Sequence, residues 1–260
     1  VLCSNQLSTE VIWNNDLNFN LNVTYDWEVQ SVGSNISGFI QSGSGNLPEM
    51  NLLNGNSSPE NLVYSVTPIF ESCEGLPLNY TITVYPTPSI QPIQSQELCS
   101  TDSFNTTNFS SIVSGIAVTY GWTLTNTNIP LTLTGYPSIT GAGNINGTAV
   151  VNTGIAPYTL VYEVVPNIAG FCAGSSELFE LTVNPLPVVT TSPDTVICLN
   201  DSTQLTSSGG TSYSWSPSAG LSNPNISDPM ASPAITTTYS VTVTDVNGCE
   251  NTEVVTVTVN

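Results

Sequence analysis

One pattern recurs three times in this chain and limits its fold more than any other feature. It runs cysteine, Tyr-x-Trp triplet, strand-like segment centred on a tyrosine, then a second cysteine in a turn. The cysteines are Cys3, Cys73, Cys99, Cys172, Cys198 and Cys249, so the first member of each pair recurs after 96 and then 99 residues. The triplets Tyr25-Asp26-Trp27, Tyr120-Gly121-Trp122 and Tyr213-Ser214-Trp215 follow that cysteine by 22, 21 and 15 residues. Tyr64, Tyr162 and Tyr239 then precede a turn-like patch: Ser72-Cys73-Glu74-Gly75, Phe171-Cys172-Ala173-Gly174 or Gly248-Cys249-Glu250-Asn251. Four features in one order, three times, mark three copies of a single structural unit.

Each unit reads as strands. From Ala117 to Leu124, Val118, Tyr120, Trp122 and Leu124 alternate with Ala117, Thr119, Gly121 and Thr123, the period of a half-buried strand. Closing strands are expected over Tyr80–Val84, Phe179–Val183 and Val255–Val259, and Asn, Gly, Ser and Pro clusters separate the segments. No stretch carries helix-capping signals. Short strands at regular spacing predict an all-β chain of three tandem immunoglobulin-like β-sandwiches. Tyr85-Pro86-Thr87-Pro88 and Asn184-Pro185-Leu186-Pro187 end the ladders and favour extended, stiff Pro-x-Pro connectors. Domains are therefore expected at 1–88, 89–187 and 188–260.

Charge narrows the function. The chain has no Lys, Arg or His, and its 19 charged side chains are all carboxylates. Without cations it has no counterion-releasing grip on phosphates and no attraction to anionic lipid, so neither nucleic acid nor membrane is an expected partner. Without His it lacks the usual general base and the commonest metal ligand. A glycosidase needs two facing carboxylates, and the strand residues Glu163 and Glu180 stand isolated in sequence. The chain is not expected to be an enzyme. No run of about 18 apolar residues occurs, so no segment should span a membrane as a helix. Val1 already begins a unit and Val257 to Asn260 end on a strand, as expected of a cut from a longer protein.

Six cysteines formally allow 15 pairings. The repeat singles out one bond per unit: Cys3–Cys73, Cys99–Cys172 and Cys198–Cys249. Thiol ligation of a metal has no Cys-x-x-Cys spacing to support it. The order Cys, Trp, Cys is that of an immunoglobulin domain, but here the second cysteine follows the tyrosine strand and sits in the next turn. Trp27, Trp122 and Trp215, with Tyr25, Tyr120 and Tyr213 and the strand tyrosines, are expected in the cores. Trp13, in Val11-Ile12-Trp13-Asn14-Asn15, has no counterpart in the other units; it reads as core or as a contact for a ligand or neighbour.

The units resemble the PKD-like and Ig-like repeats of giant cell-surface proteins of Bacteroidota. In the third unit the likeness lies in Tyr213-Ser214-Trp215-Ser216-Pro217 and in the run from Thr236 through Tyr239-Ser240-Val241 to Asp245-Val246-Asn247-Gly248-Cys249. The first two match a sister repeat through Gly43-Ser44-Gly45-Asn46 or Gly141-Ala142-Gly143-Asn144 and the closing Thr-Val-x-Pro-x-Pro. The resemblance covers essentially the whole chain. It implies type IX secretion and display on the outer cell surface, as in gliding-motility adhesins of the SprB type, where such repeats mostly serve as stalks.

The leading expectation is thus a spacer whose partners are neighbouring repeats of the same long chain. The alternatives are a module binding surface polysaccharide or another surface protein, through Trp13 or the longer inserts, and a self-assembling fibre subunit. No cofactor is expected beyond a possible calcium ion, since oxygen ligands bind it without basic residues. Its candidates are Asp194 and Asp201 around Cys198, with Asp245, Asn247 and Glu250 around Cys249, two groups the Cys198–Cys249 bond would bring together. Turn chemistry alone also explains Asp245-Val246-Asn247-Gly248. Asn22, Asn35, Asn56, Asn79, Asn105 and Asn225 head Asn-x-Ser/Thr sequons, and Asp194-Thr195-Val196 and Asp201-Ser202-Thr203 match the O-glycosylation motif of the same bacteria.

Overall fold

The computed structural model describes residues 1–14, 22–168, 170 and 172–260; Asn15 of the Trp13 segment and Phe171 beside Cys172 lie outside these. Among the described residues all regular structure is β. The same four-strand arrangement appears three times. A tyrosine strand (Glu60–Phe70, Tyr158–Ile168 or Thr237–Thr244) lies between a Tyr-x-Trp strand (Val23–Val32, Val118–Leu124 or Ser212–Ser216) and a closing strand (Leu78–Tyr85, Glu177–Asn184 or Glu250–Val259). Outside the closing strand runs a short leading strand, Leu2–Cys3, Gln96–Cys99 or Thr195–Ile197, parallel to it. The other pairings in these four-strand sets are antiparallel. Shorter strands close the second layer: Gln6–Leu7, Asn51–Asn54 and Ile36–Ser37 in the first unit, Leu133–Thr134 with Val151–Asn152 in the second, and Thr203–Gln204 with Met230–Ala231 in the third.

Alternation along the tyrosine strands sends one side chain in two into the core. Tyr64, Tyr162 and Tyr239 are fully buried, each in its own apolar cluster. Trp27, Trp122 and Trp215 stand on the neighbouring strand opposite Val66, Val164 and Val241. Trp27 meets Tyr64 edge-on at 5.6 Å and 89°, and Trp122 meets Tyr162 at 5.6 Å and 82°, the arrangement favoured by ring quadrupoles. Each phenol also ties down a loop of the facing layer, donating to the carbonyl of Ile40 (2.9 Å), Pro137 (3.1 Å) or Ala219 (2.9 Å). Tyr25, Tyr120 and Tyr213 are only half-buried and pack at the margins of the cores.

The glycine pairs of the first two units have distinct tasks. Gly43 and Gly141 face Trp27 and Trp122 across the strand pair, and a Cβ on either would overlap the indole ring. Gly45 and Gly143 turn the chain at φ +78° and +75°, where side chains with a Cβ are strained. The third unit lacks the pair. There the Trp215 indole N–H donates to the Ile226 carbonyl at 2.9 Å, whereas the indole N–H groups of Trp27 and Trp122 are buried without an acceptor.

Gly43→Ala or Gly141→Ala should destabilise its unit by about 1–3 kcal/mol, the usual cost of overpacking, seen as a lowered midpoint in thermal unfolding followed by tryptophan fluorescence. Burial raises the phenol of Tyr64 to about 12 and those of Tyr162 and Tyr239 in the same direction. The unfolded chain therefore releases these protons first, near pH 10. Stability from this source is intact below that pH and is lost as pH rises from about 10 towards 12; denaturant midpoints across that range, with phenolate absorbance as the second readout, check it.

Candidate functional site

The places where the chain concentrates chemistry are the two junctions between units. The polarity of each unit explains why. The leading strand pairs with the end of the closing strand, placing Cys3 beside Tyr85 and Cys99 beside Asn184, next to the outgoing linker. The second cysteine sits in the hairpin before the closing strand, with Cys73 opposite Phe70 and Cys172 opposite Ile168. Tyrosine strands of 11 residues separate these two ends, about 33 Å at the rise of an extended chain. A disulfide requires Cα atoms within about 7 Å.

The expected pairing within units is therefore corrected. Cys3 bonds to Cys172 and Cys99 to Cys249, with Cα–Cα distances of 5.6 and 5.4 Å. Each bond joins the first cysteine of one unit to the second cysteine of the next. Cys73 and Cys198 are unbonded and exposed.

The first junction is apolar. Cys3, Ile168 and Cys172 are buried together, with Tyr85, Val113, Ile116 and Val118 packed against them. The Ser114 N–H donates to the Ser57 carbonyl at 2.7 Å across it. Gly174, in the hairpin of Cys172, lies against the Pro88 carbonyl so closely that a Cβ would overlap it. At the second junction Cys249 is fully buried, and the Asn251 amide donates to the Pro187 carbonyl of the linker at 3.0 Å.

Two buried asparagines, which sequence reading passed over, brace the ends that carry the first cysteines. The Asn54 side-chain amide donates to the carbonyls of Val84 (2.8 Å) and Ser58 (2.9 Å), its oxygen accepts the Asn56 N–H, and its own N–H donates to Ser4 Oγ (2.9 Å). Asn152 repeats all four bonds with Val183, Ala156, Gly154 and Ser100. The available signal was the Cys-Ser dipeptide, Cys3-Ser4 and Cys99-Ser100, present in the first two units only.

The other candidates are dispersed. Asp245 is occupied by its own turn, its Oδ1 accepting the N–H groups of Asn247 and Cys249 at 2.9 Å each. Glu250 Oε1 accepts from the Thr244 hydroxyl at 3.3 Å, and Asp194 Oδ1 accepts the Thr256 N–H at 2.7 Å. Thr195 pairs with Val257, seven residues along the strand that starts at Glu250. Asp194, with Asp201 beyond Cys198, thus lies about 23 Å or more from the Asp245 turn. The bond meant to unite the two calcium groups is not formed, so they stand at opposite ends of the unit. Among the described residues no group of three or more Asp, Glu or Cys is arranged to hold a metal ion. Glu163 and Glu180 lie diagonally on one open sheet face, opposite Leu178 and Val161.

Trp13 is half-buried. It stands edge-on to Tyr80 at 5.2 Å and tilted towards Tyr25 at 6.3 Å. It lines a groove of about 300 Å³ with Ile12, Pro68 and Leu78. That groove lies at the hairpin end of the first unit, where Leu78 begins the closing strand.

A family match found twice along the chain agrees with the repeat. A family profile described as "PKD-like domain" matches residues 2–88 and 96–187. No curated protein matches the chain. Among solved structures, it is similar to the I-band fragment I67–I69 of titin at 10% identity, over all of this chain and 94% of that one, with a TM-score of 0.47. It is also similar to mouse cadherin-23 EC22–24 at 12% identity, over 100% and 94%, with a TM-score of 0.36. Extracellular domains 3–5 of Drosophila OTK match at 11%, over 100% and 93%, with a TM-score of 0.33.

Chymotryptic peptides of the unreduced protein should contain Cys3 linked to Cys172 and Cys99 linked to Cys249, while Cys73 and Cys198 should alkylate without reductant. A loop of 169 residues contributes roughly 5 kcal/mol in the chain-entropy account. The Cys3→Ser/Cys172→Ser double variant should accordingly unfold at a temperature several degrees lower in calorimetry.

Proposed function

Because the chain belongs to the PKD-like domain family, we propose that it is a spacer: a stalk segment of an extracellular bacterial surface adhesin or filament, of the gliding-motility type, exported by type IX secretion and displayed outside the outer membrane. The observation that carries the spacer reading is the pair of disulfides across successive junctions. A bond inside a unit stabilises that unit alone. A bond across a junction fixes one unit to the next, the property a stalk requires. Disulfides persist in oxidising surroundings, so the bonds and the family both fit an extracellular protein. A surface without cations leaves no Lys or Arg for tryptic cleavage and keeps such segments soluble and mutually repelling.

A second reading, a carbohydrate- or protein-binding module, is favoured by the Trp13 groove alone. Glycan binding lost in Trp13→Ala would promote it.

Three units placed end to end, each about 40 Å long at strand rise with turns at both ends, span on the order of 120 Å. Small-angle scattering should give a radius of gyration near 35 Å, against about 18 Å for a compact chain of 260 residues. A value near the compact figure overturns the stalk reading.

A further inference from the structure

The two unbonded cysteines are the counterparts of bonded ones. Cys73 occupies in the first unit the place of Cys172 and Cys249, and Cys198 occupies in the third the place of Cys3 and Cys99. Each therefore lies at the end of its unit that a neighbour covers elsewhere in the same chain.

Burial marks the same two ends independently. Ile168, opposite Cys172, is fully buried beneath the preceding unit, whereas Phe70, in the corresponding place opposite Cys73, is 39% exposed. Cys172 is 1% exposed and Cys249 fully buried, while Cys73 is exposed. At the other end Leu199, which follows Cys198, is 56% exposed. Cys3, the partner of Cys172, is 4% exposed, while Cys198 is exposed. The thiol and the adjoining apolar patch are uncovered together, and at both ends.

We propose that Cys73 and Cys198 are complementary docking thiols for further units of this same kind. The Cys198 end receives the hairpin cysteine of a following unit, and the Cys73 end receives the leading-strand cysteine of a preceding one. The inference rests on the spacer reading only for its purpose; the chemistry is that of the two existing junctions. Since the chain carries one thiol of each type, a second copy supplies either partner. The junction is heterologous, first cysteine to second, and such a contact propagates head to tail unless its rotation closes a ring.

Bond formation balances by thiol–disulfide exchange. The Cys198 thiolate attacks a small-molecule disulfide such as oxidised glutathione and releases one glutathione thiolate. The Cys73 thiolate of the second copy then attacks the Cys198 sulfur and displaces the other. One disulfide forms and one is reduced to two thiols.

The test uses the full chain as two variants, Cys73→Ser and Cys198→Ser, each incubated alone and as an equal mixture with oxidised and reduced glutathione. Each position is exposed, so neither substitution disturbs a core. The mixture should form a covalent dimer in at least tenfold excess over either variant alone, and peptide mapping should join Cys198 of one copy to Cys73 of the other. The unsubstituted chain should give a ladder of oligomers. Equal dimerisation of a single variant overturns the proposal, because it shows indiscriminate thiol chemistry. A mixture that stays monomeric although both thiols react with iodoacetamide overturns it too. Either failure leaves the spacer reading to stand or fall on the scattering result.

Discussion

An extended strand of 11 residues cannot bring its ends together, and the covalent architecture of this protein follows from that fact. The tyrosine strand is the axis of each unit. The leading strand runs parallel to the closing strand and so delivers its cysteine to the far end of that axis. The hairpin before the closing strand holds the other cysteine at the near end. About 33 Å lies between them in the first two units, and the 10-residue closing strand Glu250–Val259 separates them in the third, so the two do not meet. Each can meet only the opposite type in an adjoining unit, and two such bonds are present.

The interior of each unit is the precondition. A junction bond transmits position only if the body between its cysteines is rigid, and rigidity here comes without side-chain ion pairs, since no side chain can carry a positive charge. The indole–phenol contact and the phenol hydrogen bond fix the two layers in register. Asn54 and Asn152 lock the turn that enters the tyrosine strand and the end of the closing strand to the residue that follows the bonding cysteine. Such fully satisfied buried amides hold one geometry because every alternative leaves a polar group unpaired. The first cysteine is thus presented from a braced end.

This division also explains what could be read from sequence. Trp27, Tyr64 and their counterparts announce themselves because burial imposes a period of two on a single strand, a local property. The all-β, immunoglobulin-like repeat was legible for the same reason. The disulfide partners were not. Their pairing depends on which end of a sheet each cysteine reaches, and that is set by the parallel placement of a leading strand only two to four residues long. Nothing in Leu2-Cys3 or Gln96-Glu97-Leu98-Cys99 signals parallel pairing with a strand some eighty residues away. The repeat made a bond within each unit look natural, although the same repeat accommodates a bond to the next unit equally well. The calcium grouping failed with it, because it borrowed its proximity from the Cys198–Cys249 bond. The asparagines escaped notice because Asn is abundant throughout and residue type alone does not tell these two buried amides from exposed ones.

The shifted pairing changes how the chain bears tension. With bonds inside units, a pulled chain would still extend every linker and every segment outside the loops. With bonds across junctions, the shortest covalent route from Val1 to Cys198 runs to Cys3, crosses to Cys172 and continues along the closing strand and linker. Under a pull between Val1 and Cys198, residues 4–171 are bypassed and are not drawn out, however far their cores are disrupted. The load-carrying segment from Cys172 to Cys198 reaches at most about 90 Å when fully extended, close to the length that two folded units occupy on the strand-rise estimate. A filament stapled throughout in this way would scarcely lengthen before its covalent bonds broke. Resistance to stretching then depends on where the disulfides fall rather than on how stable each sandwich is, which suits a stalk built from small, uncharged cores.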